Sequence, residues 1–115
     1  MITSNIKNKK ITIIGCGVSG IGAANLAAHL GAKVFISDIK KISTKDIIHK
    51  NIKFESGKHS EECFNCDFAI KSPGISNDSK IIKELLNYRI PIISEIEFAS
   101  KFTRGKIIGI TGSNG

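Results

Sequence analysis

Residues 11–22, ITIIGCGVSGIG, constrain the fold more than any other stretch: an apolar, β-branched run breaks into glycines spaced GxGxxG and continues as alanine-rich AANLAAHL. Residues 11–14 predict a buried parallel strand, and residues 18–30 predict a helix. In that order each glycine has its own duty. Gly15 permits a tight turn, Gly17 lets a ligand approach the backbone, and Gly20 lets helix and strand pack closely. The free N–H groups at the helix start then face a phosphate. A βα turn whose glycines serve geometry alone is the competing explanation, so the rest of the chain has to decide.

At 115 residues there is room for one domain of common size. Hydrophobic residues make up 41%, near the globular average, and no apolar run approaches the roughly 18 residues a membrane span needs. The opening MITSNIKNKK lacks the apolar core of a signal peptide, so a cytoplasmic protein without a membrane segment is expected. The net charge of +7 is almost all scattered lysine and suits an anionic partner. With one tyrosine and no tryptophan there is no row of stacking platforms for a single strand. A phosphate-bearing small ligand is expected, and no nucleic acid. Three cysteines without a secretion signal predict reduced thiols. Cys63 and Cys66 form CxxC, four and seven residues after His59. Zinc would need a fourth ligand, and a redox pair would open a helix after a strand. Ordinary packing is expected instead, with no metal site.

Past the glycines, the helix over 18–30 offers Ile21, Ala24, Ala28 and Leu30 to a sheet, and Gly31 ends it. KVFIS (33–37) is a second strand. Asp38 follows, eighteen residues beyond Gly20, where a Rossmann-type unit carries an acid. Residues 39–50 read as a polar loop with one helical turn, 51–57 as a third strand and 58–65 as a brief helix or turn. His49 and His59 carry no assigned role. DFAIK (67–71) is a fourth strand, and Ser72, Pro73 and Gly74 form a turn at its carboxyl end. Residues 78–88 predict a helix with Ile81, Ile82, Leu85 and Leu86 on one face. IPIIS (90–94) is a fifth strand, and SEIEFASKF a helix with Ser94 as cap and Glu97 completing a capping box. Strands alternating with helices define an α/β fold: a Rossmann-like, mostly parallel five-stranded sheet flanked by helices.

FTRGK reads as a linker, and KIIGITGSNG as a sixth strand opening a phosphate-binding loop that stops before its lysine. Taken together, IIGCGVSG, ISD, KSPGIS, PIISEIEF and IIGITGSNG resemble the Mur ligases of bacterial cell-wall synthesis. TGSNG, where alanine-adding members carry THG, resembles the branch that adds D-glutamate. The resemblance implies a three-domain, ATP-dependent amide-forming ligase. Residues 1–95 would be its UDP-sugar-binding domain, and 96–115 a linker with the truncated start of the ATP-binding domain. It also implies UDP-N-acetylmuramoyl-L-alanine as ligand, with D-glutamate, ATP and Mg²⁺ bound by the missing domains. A monomer is expected, inactive alone.

Carried over by that resemblance, Gly17, Val18, Ser19 and Gly20 would hold the diphosphate through backbone N–H groups. Asp38, Ile39 and Lys40 would surround the uracil, with Asp38 accepting from the ring N–H and a following amide donating to a ring carbonyl. The family often has Thr and Arg where this chain has Ile39 and Lys40, and lysine lacks the planar fork of arginine. Ser72 and Gly74 would close the pocket, and Gly112, Ser113, Asn114 and Gly115 would begin the ATP loop. No catalytic residue is assigned. An NAD(H)-binding regulatory Rossmann module explains residues 11–38 equally well but not SPGI or TGSNG. A dehydrogenase fragment would need a hydride-transfer pocket that no residues here define.

Overall fold

A computed structural model describes residues 5–15, 17–42, 45, 47 and 49–102. Five strands form one fully parallel sheet: β1 (Lys10–Ile14), β2 (Lys33–Asp38), β3 (Ile52–Ser56), β4 (Phe68–Lys71) and β5 (Ile92–Ser94), in the order β3-β2-β1-β4-β5. Strand order reverses on either side of β1, which makes the gap between β1 and β4 the topological switch point. The expected Rossmann-like fold is thus present. The expected sixth strand and the loop from Gly112 to Gly115 lie outside the described residues, as do positions 43, 44, 46 and 48 of the segment 39–50, where one helical turn is expected.

Alternation along the strands divides the core in two. Ile11, Ile13, Val34, Ile36, Phe68, Ile70 and Ile93 face α1 (Val18–His29) and α3 (Glu95–Phe102), where Phe98 is fully buried. Ile14 and Ala69 face the other way, toward α2 (Lys80–Asn87) and a 3₁₀ turn (Glu61–Phe64), meeting Ile81, Ile82, Leu85 and Cys63. On α1 the buried face is Ala23, Ala24, Ala27 and Ala28, while Ile21 and Leu30 are half-buried. Small side chains bring the helix axis near the sheet, and the longer ones fill the margins. α3 packs its Phe98 into the same core as α1.

Helix ends follow local chemistry. After α1, Gly31 (φ +95°) turns the chain while its amide and that of Ala32 bond back to Ala28 and Ala27, a Schellman stop. α2 begins at Lys80 rather than Asp78 because residues 76–79 close their own turn, with the Ser79 amide donating to Ser76 O and the Asp78 amide to Ser76 Oγ. Its far end repeats the Schellman pattern, with the Arg89 and Ile90 amides donating to Leu86 O and Leu85 O, but the turning residue is Arg89 at φ 60°. A left-handed L-residue costs about 1–2 kcal/mol. Arg89→Gly relieves that strain against the greater unfolded-state entropy of glycine, so urea denaturation should find the variant more stable by about 0.5–1 kcal/mol.

Candidate functional site

The loops after β1 and β4 meet at the carboxyl edge of the sheet. Gly15 adopts φ +87°, and a Cβ there would lie 2.8 Å from Ile75 Cγ1 and 2.9 Å from Ser72 Cβ. Only glycine admits both the dihedral and the contact. The junction is tied on both sides: the Gly15 amide donates to Ser37 O and the Ser72 amide to Ile14 O. Lys71 Nζ then donates to Ile75 O at 2.8 Å and to Ser72 O at 3.5 Å, folding the loop back over the end of its own strand.

The other two glycines serve different needs. A Cβ on Gly20 would sit 2.9 Å from the Gly15 carbonyl oxygen, so close packing of α1 on the β1 turn requires glycine there. At Gly17, which precedes α1, a Cβ would meet no atom of the described residues beyond its chain neighbours within 4 Å. Its φ of −101° suits any residue. Glu95, at the head of α3, is 5% exposed, and neither carboxylate oxygen has a hydrogen-bond partner among the described residues. Its Oε1 lies 3.4 Å from a Cβ built on Gly20, near the positive end of the α1 dipole.

Between the ends of β2 and β4 lies a cleft of about 380 Å³ lined by Ile39, His59, Gly74, Ile75, Ser76, Ser79, Lys80 and Ile81. It brings the expected residues Ile39 and Gly74 together. Ile39 is 58% exposed and offers an apolar face. Asp38, Lys40, Ser72 and Gly17 border the same edge without lining this cleft. The Lys40 amide, one of those expected to face a ring carbonyl, donates instead to Asp38 Oδ1 at 2.9 Å. Val18 and Ser19 open α1, and their side chains lie outside the described set. On the far wall, Ser79 Oγ is buried without a hydrogen-bond partner among the described residues.

Behind His59 sits a polar cluster that sequence reasoning missed. Ser37 Oγ, fully buried, donates to Glu55 Oε2 at 2.7 Å and lies 2.7 Å from His59 Nδ1. Glu55 Oε2 also accepts from the Ser60 amide at 2.7 Å and from Cys63 Sγ at 3.6 Å. Burial pushes the Glu55 carboxyl up, but the hydrogen bonds from Ser60, Ser37 and Cys63 outweigh it and hold the group below its ordinary value. Burial lowers the His59 pKa, against the opposing pull of Glu55 and Asp38. Burial also drives the Cys63 thiol up to about 11 and raises that of Cys66. The thiols of the CxxC therefore stay protonated and act as packing and donor groups.

A larger depression, about 490 Å³, opens at the amino ends of the strands among Lys10, Lys33, Lys50 and Lys53. Parallel α/β sheets bind ligands at the carboxyl edge beside the switch point, and the smaller cleft is the one that lies there.

A glycine turn, an acid ending β2 and a cleft at the switch point define a doubly wound α/β domain of the nucleotide-binding kind. The chain belongs to the family described as MurD N-terminal domain, whose model matches residues 10–81. It is 49% identical over 111 residues to a UDP-N-acetylmuramoylalanine--D-glutamate ligase of Bacteroides thetaiotaomicron, covering 93% of this chain and 25% of that protein. The ligase of the same name from Elusimicrobium minutum is 43% identical over 98% of this chain and 25% of its own length. Among solved structures, a pseudomurein peptide ligase type C from Methanothermus fervidus superposes with a TM-score of 0.69 at 30% identity, over 83% of this chain and 20% of that one. The chain thus spans about 25% of the length of the curated relatives it matches.

Two outcomes follow from the geometry. Gly15→Ala meets both a left-handed dihedral and a contact it cannot relieve, and should cost about 2–4 kcal/mol in urea denaturation. Gly17→Ala should cost at most about 1 kcal/mol. Stability should also fall on acidification, because His59 and Glu55 both have lowered folded values and the unfolded chain takes up protons first. The His59 contribution is intact above the ordinary 6.5 and is lost as pH falls through its lowered value. That of Glu55 is intact above 4.5 and is lost in the same direction. Denaturation midpoints should decline below about pH 6.5 as His59 takes up its proton and again below about pH 4.5 as Glu55 does, and only the second decline should be smaller in Glu55→Gln.

Proposed function

We propose that the chain is the nucleotide-sugar-binding domain of a ligase that adds D-glutamate to UDP-N-acetylmuramoyl-L-alanine during peptidoglycan precursor synthesis. The observation that carries this is the SPGI loop packed across Gly15, which forms a cleft between Ile39 and Gly74 at the switch point. Family membership and the names of the relatives support it.

In this reading the amides of Gly17, Val18, Ser19 and Gly20 hold the diphosphate at the start of α1, where the helix dipole favours negative charge. The base lies against Ile39 and Gly74. Asp38 accepts from the ring N–H, Lys40 borders the site, and Ser72 fixes the loop that closes it. Gly112, Ser113, Asn114 and Gly115 belong to the loop that binds ATP with Mg²⁺ in the whole enzyme. There the metal offsets phosphate charge. The alanyl carboxylate oxygen attacks the γ-phosphorus of ATP and releases ADP. The amine of D-glutamate then attacks the acyl phosphate, and phosphate and a proton leave. This domain contributes no reacting group; it holds the nucleotide end so that the carboxylate reaches the other domains. A monomeric, cytoplasmic enzyme fits this role.

Calorimetry should find heat of binding for UDP-N-acetylmuramoyl-L-alanine and none for NADH. The reverse pattern would replace this reading with the NAD(H) regulatory module. Asp38→Ala should weaken nucleotide binding by about 1–3 kcal/mol, the cost of a lost hydrogen-bond partner, with the fold retained and the melting temperature lowered only by the loss of the Lys40 amide's partner. Unchanged affinity would remove Asp38 from base recognition.

A further inference from the structure

We propose that His59 is a ligand-selecting residue of the cleft, presenting a bare Nε2 as hydrogen-bond acceptor because Glu55 and Ser37 fix its tautomer. The inference rests on the cleft being the site of the nucleoside.

The argument is a proton count. Glu55 Oε2 is met by three donors, the Ser37 hydroxyl, the Ser60 amide and the Cys63 thiol, and so is an ionised acceptor. A hydroxyl has a single proton. The charged carboxylate oxygen at 2.7 Å takes it in preference to the Lys58 carbonyl at 3.2 Å. What Ser37 Oγ turns toward His59 Nδ1, also 2.7 Å away, is therefore a lone pair, and Nδ1 must carry the hydrogen. A neutral imidazole has one N–H, which leaves Nε2 without a proton in a residue that lines the cleft.

The groups around the ring define its charge. Glu55 from β3 and Asp38 from β2 favour protonation, and burial opposes it and prevails. Lys58 precedes it in the chain, and Lys80 of α2 lines the same cleft; neither favours a second positive charge. At neutral pH the cleft thus meets its ligand with an acceptor, and on acidification Nε2 becomes a donor and repels the same ligand group. The matching chemistry is a neutral O–H or N–H of a nucleoside: a ribose hydroxyl where Asp38 takes the ring N–H, or the ring imide itself where Asp38 does not.

Two measurements on the purified protein test this. The first needs no ligand: imidazole ¹⁵N shifts should show His59 protonated at Nδ1 and bare at Nε2, and Ser37→Ala should lose that preference. The opposite tautomer in the unsubstituted protein overturns the proposal whatever binds. The second is calorimetry with UDP-N-acetylmuramoyl-L-alanine, whose doubly esterified diphosphate does not titrate near neutrality. Affinity should fall roughly tenfold from about pH 7.5 to about pH 5, and His59→Phe should lose roughly tenfold at the higher pH. His59→Gln, which retains an acceptor but cannot titrate, should stay within about threefold with a flat pH profile. Uridine diphosphates methylated at N3 or lacking the 2′-hydroxyl identify the donor, since the analogue without it should bind His59→Phe and the unsubstituted protein alike. If both analogues still distinguish the two proteins, or the unsubstituted protein has a flat profile, the proposal fails while nucleotide binding stands. Absence of any uridine-nucleotide binding overturns the functional reading and this inference with it.

Discussion

The contact across Gly15 is the constraint on which the rest depends. At the centre of the sheet one backbone leaves β1 with positive φ, and the loop from β4 lies against it with no space for a methyl group. Because β1 is flanked by β2 and β4, this junction positions three loops at once. The Ser37 carbonyl holds the Gly15 amide from one side, and the Ile14 carbonyl holds the Ser72 amide from the other. The cleft is a consequence: it lies where the β4 loop, pinned at Ser72 and Ile75, passes the end of β2.

Polar groups near this edge are handled in two ways. Ser37, Glu55, Ser60 and Cys63 satisfy one another around a single carboxylate, so burial that would be costly for isolated groups is offset by short hydrogen bonds. Glu95 is different, since both its oxygens are buried without partners among the described residues. Its position against Gly20, at the positive end of α1, supplies a field in place of hydrogen bonds.

Much of the architecture was legible in the sequence because it depends on short-range patterns. The glycine spacing announced β1 and α1, alternating apolar runs announced the strands, and Gly31 and Ser94 marked helix limits that the structure retains, with Ser94 Oγ accepting from the Glu97 amide. Boundaries slipped where side chains competed with the backbone. The serines of residues 76–79 closed a turn of their own and delayed α2. On α1 the count of large apolar residues was a poor guide, because proximity to a sheet selects alanine. His59 was the chief omission. It sits in a polar segment, and its partners Ser37 and Asp38 come from a strand some twenty residues earlier, a pairing no local pattern announces. Cys63 was correctly expected in packing, but its contact with Glu55 was not foreseeable.

By itself the sequence determined the fold class, the glycine turn, the acid at the end of β2 and the family, since each is written in contiguous residues whose preferences are local. Tertiary structure alone decided which of those residues share a cleft. Ile39 and Gly74 meet because β2 and β4 flank β1 in a parallel sheet, and His59 joins them because the β3 loop returns over Ser37. It also decided what each glycine is for. The three look alike in GxGxxG, yet a Cβ on Gly15 would meet Ile75 and Ser72, one on Gly20 the Gly15 carbonyl, and one on Gly17 only open space among the described residues. Contacts between residues distant in the chain depend on where the whole sheet places them, and that is information no single segment carries.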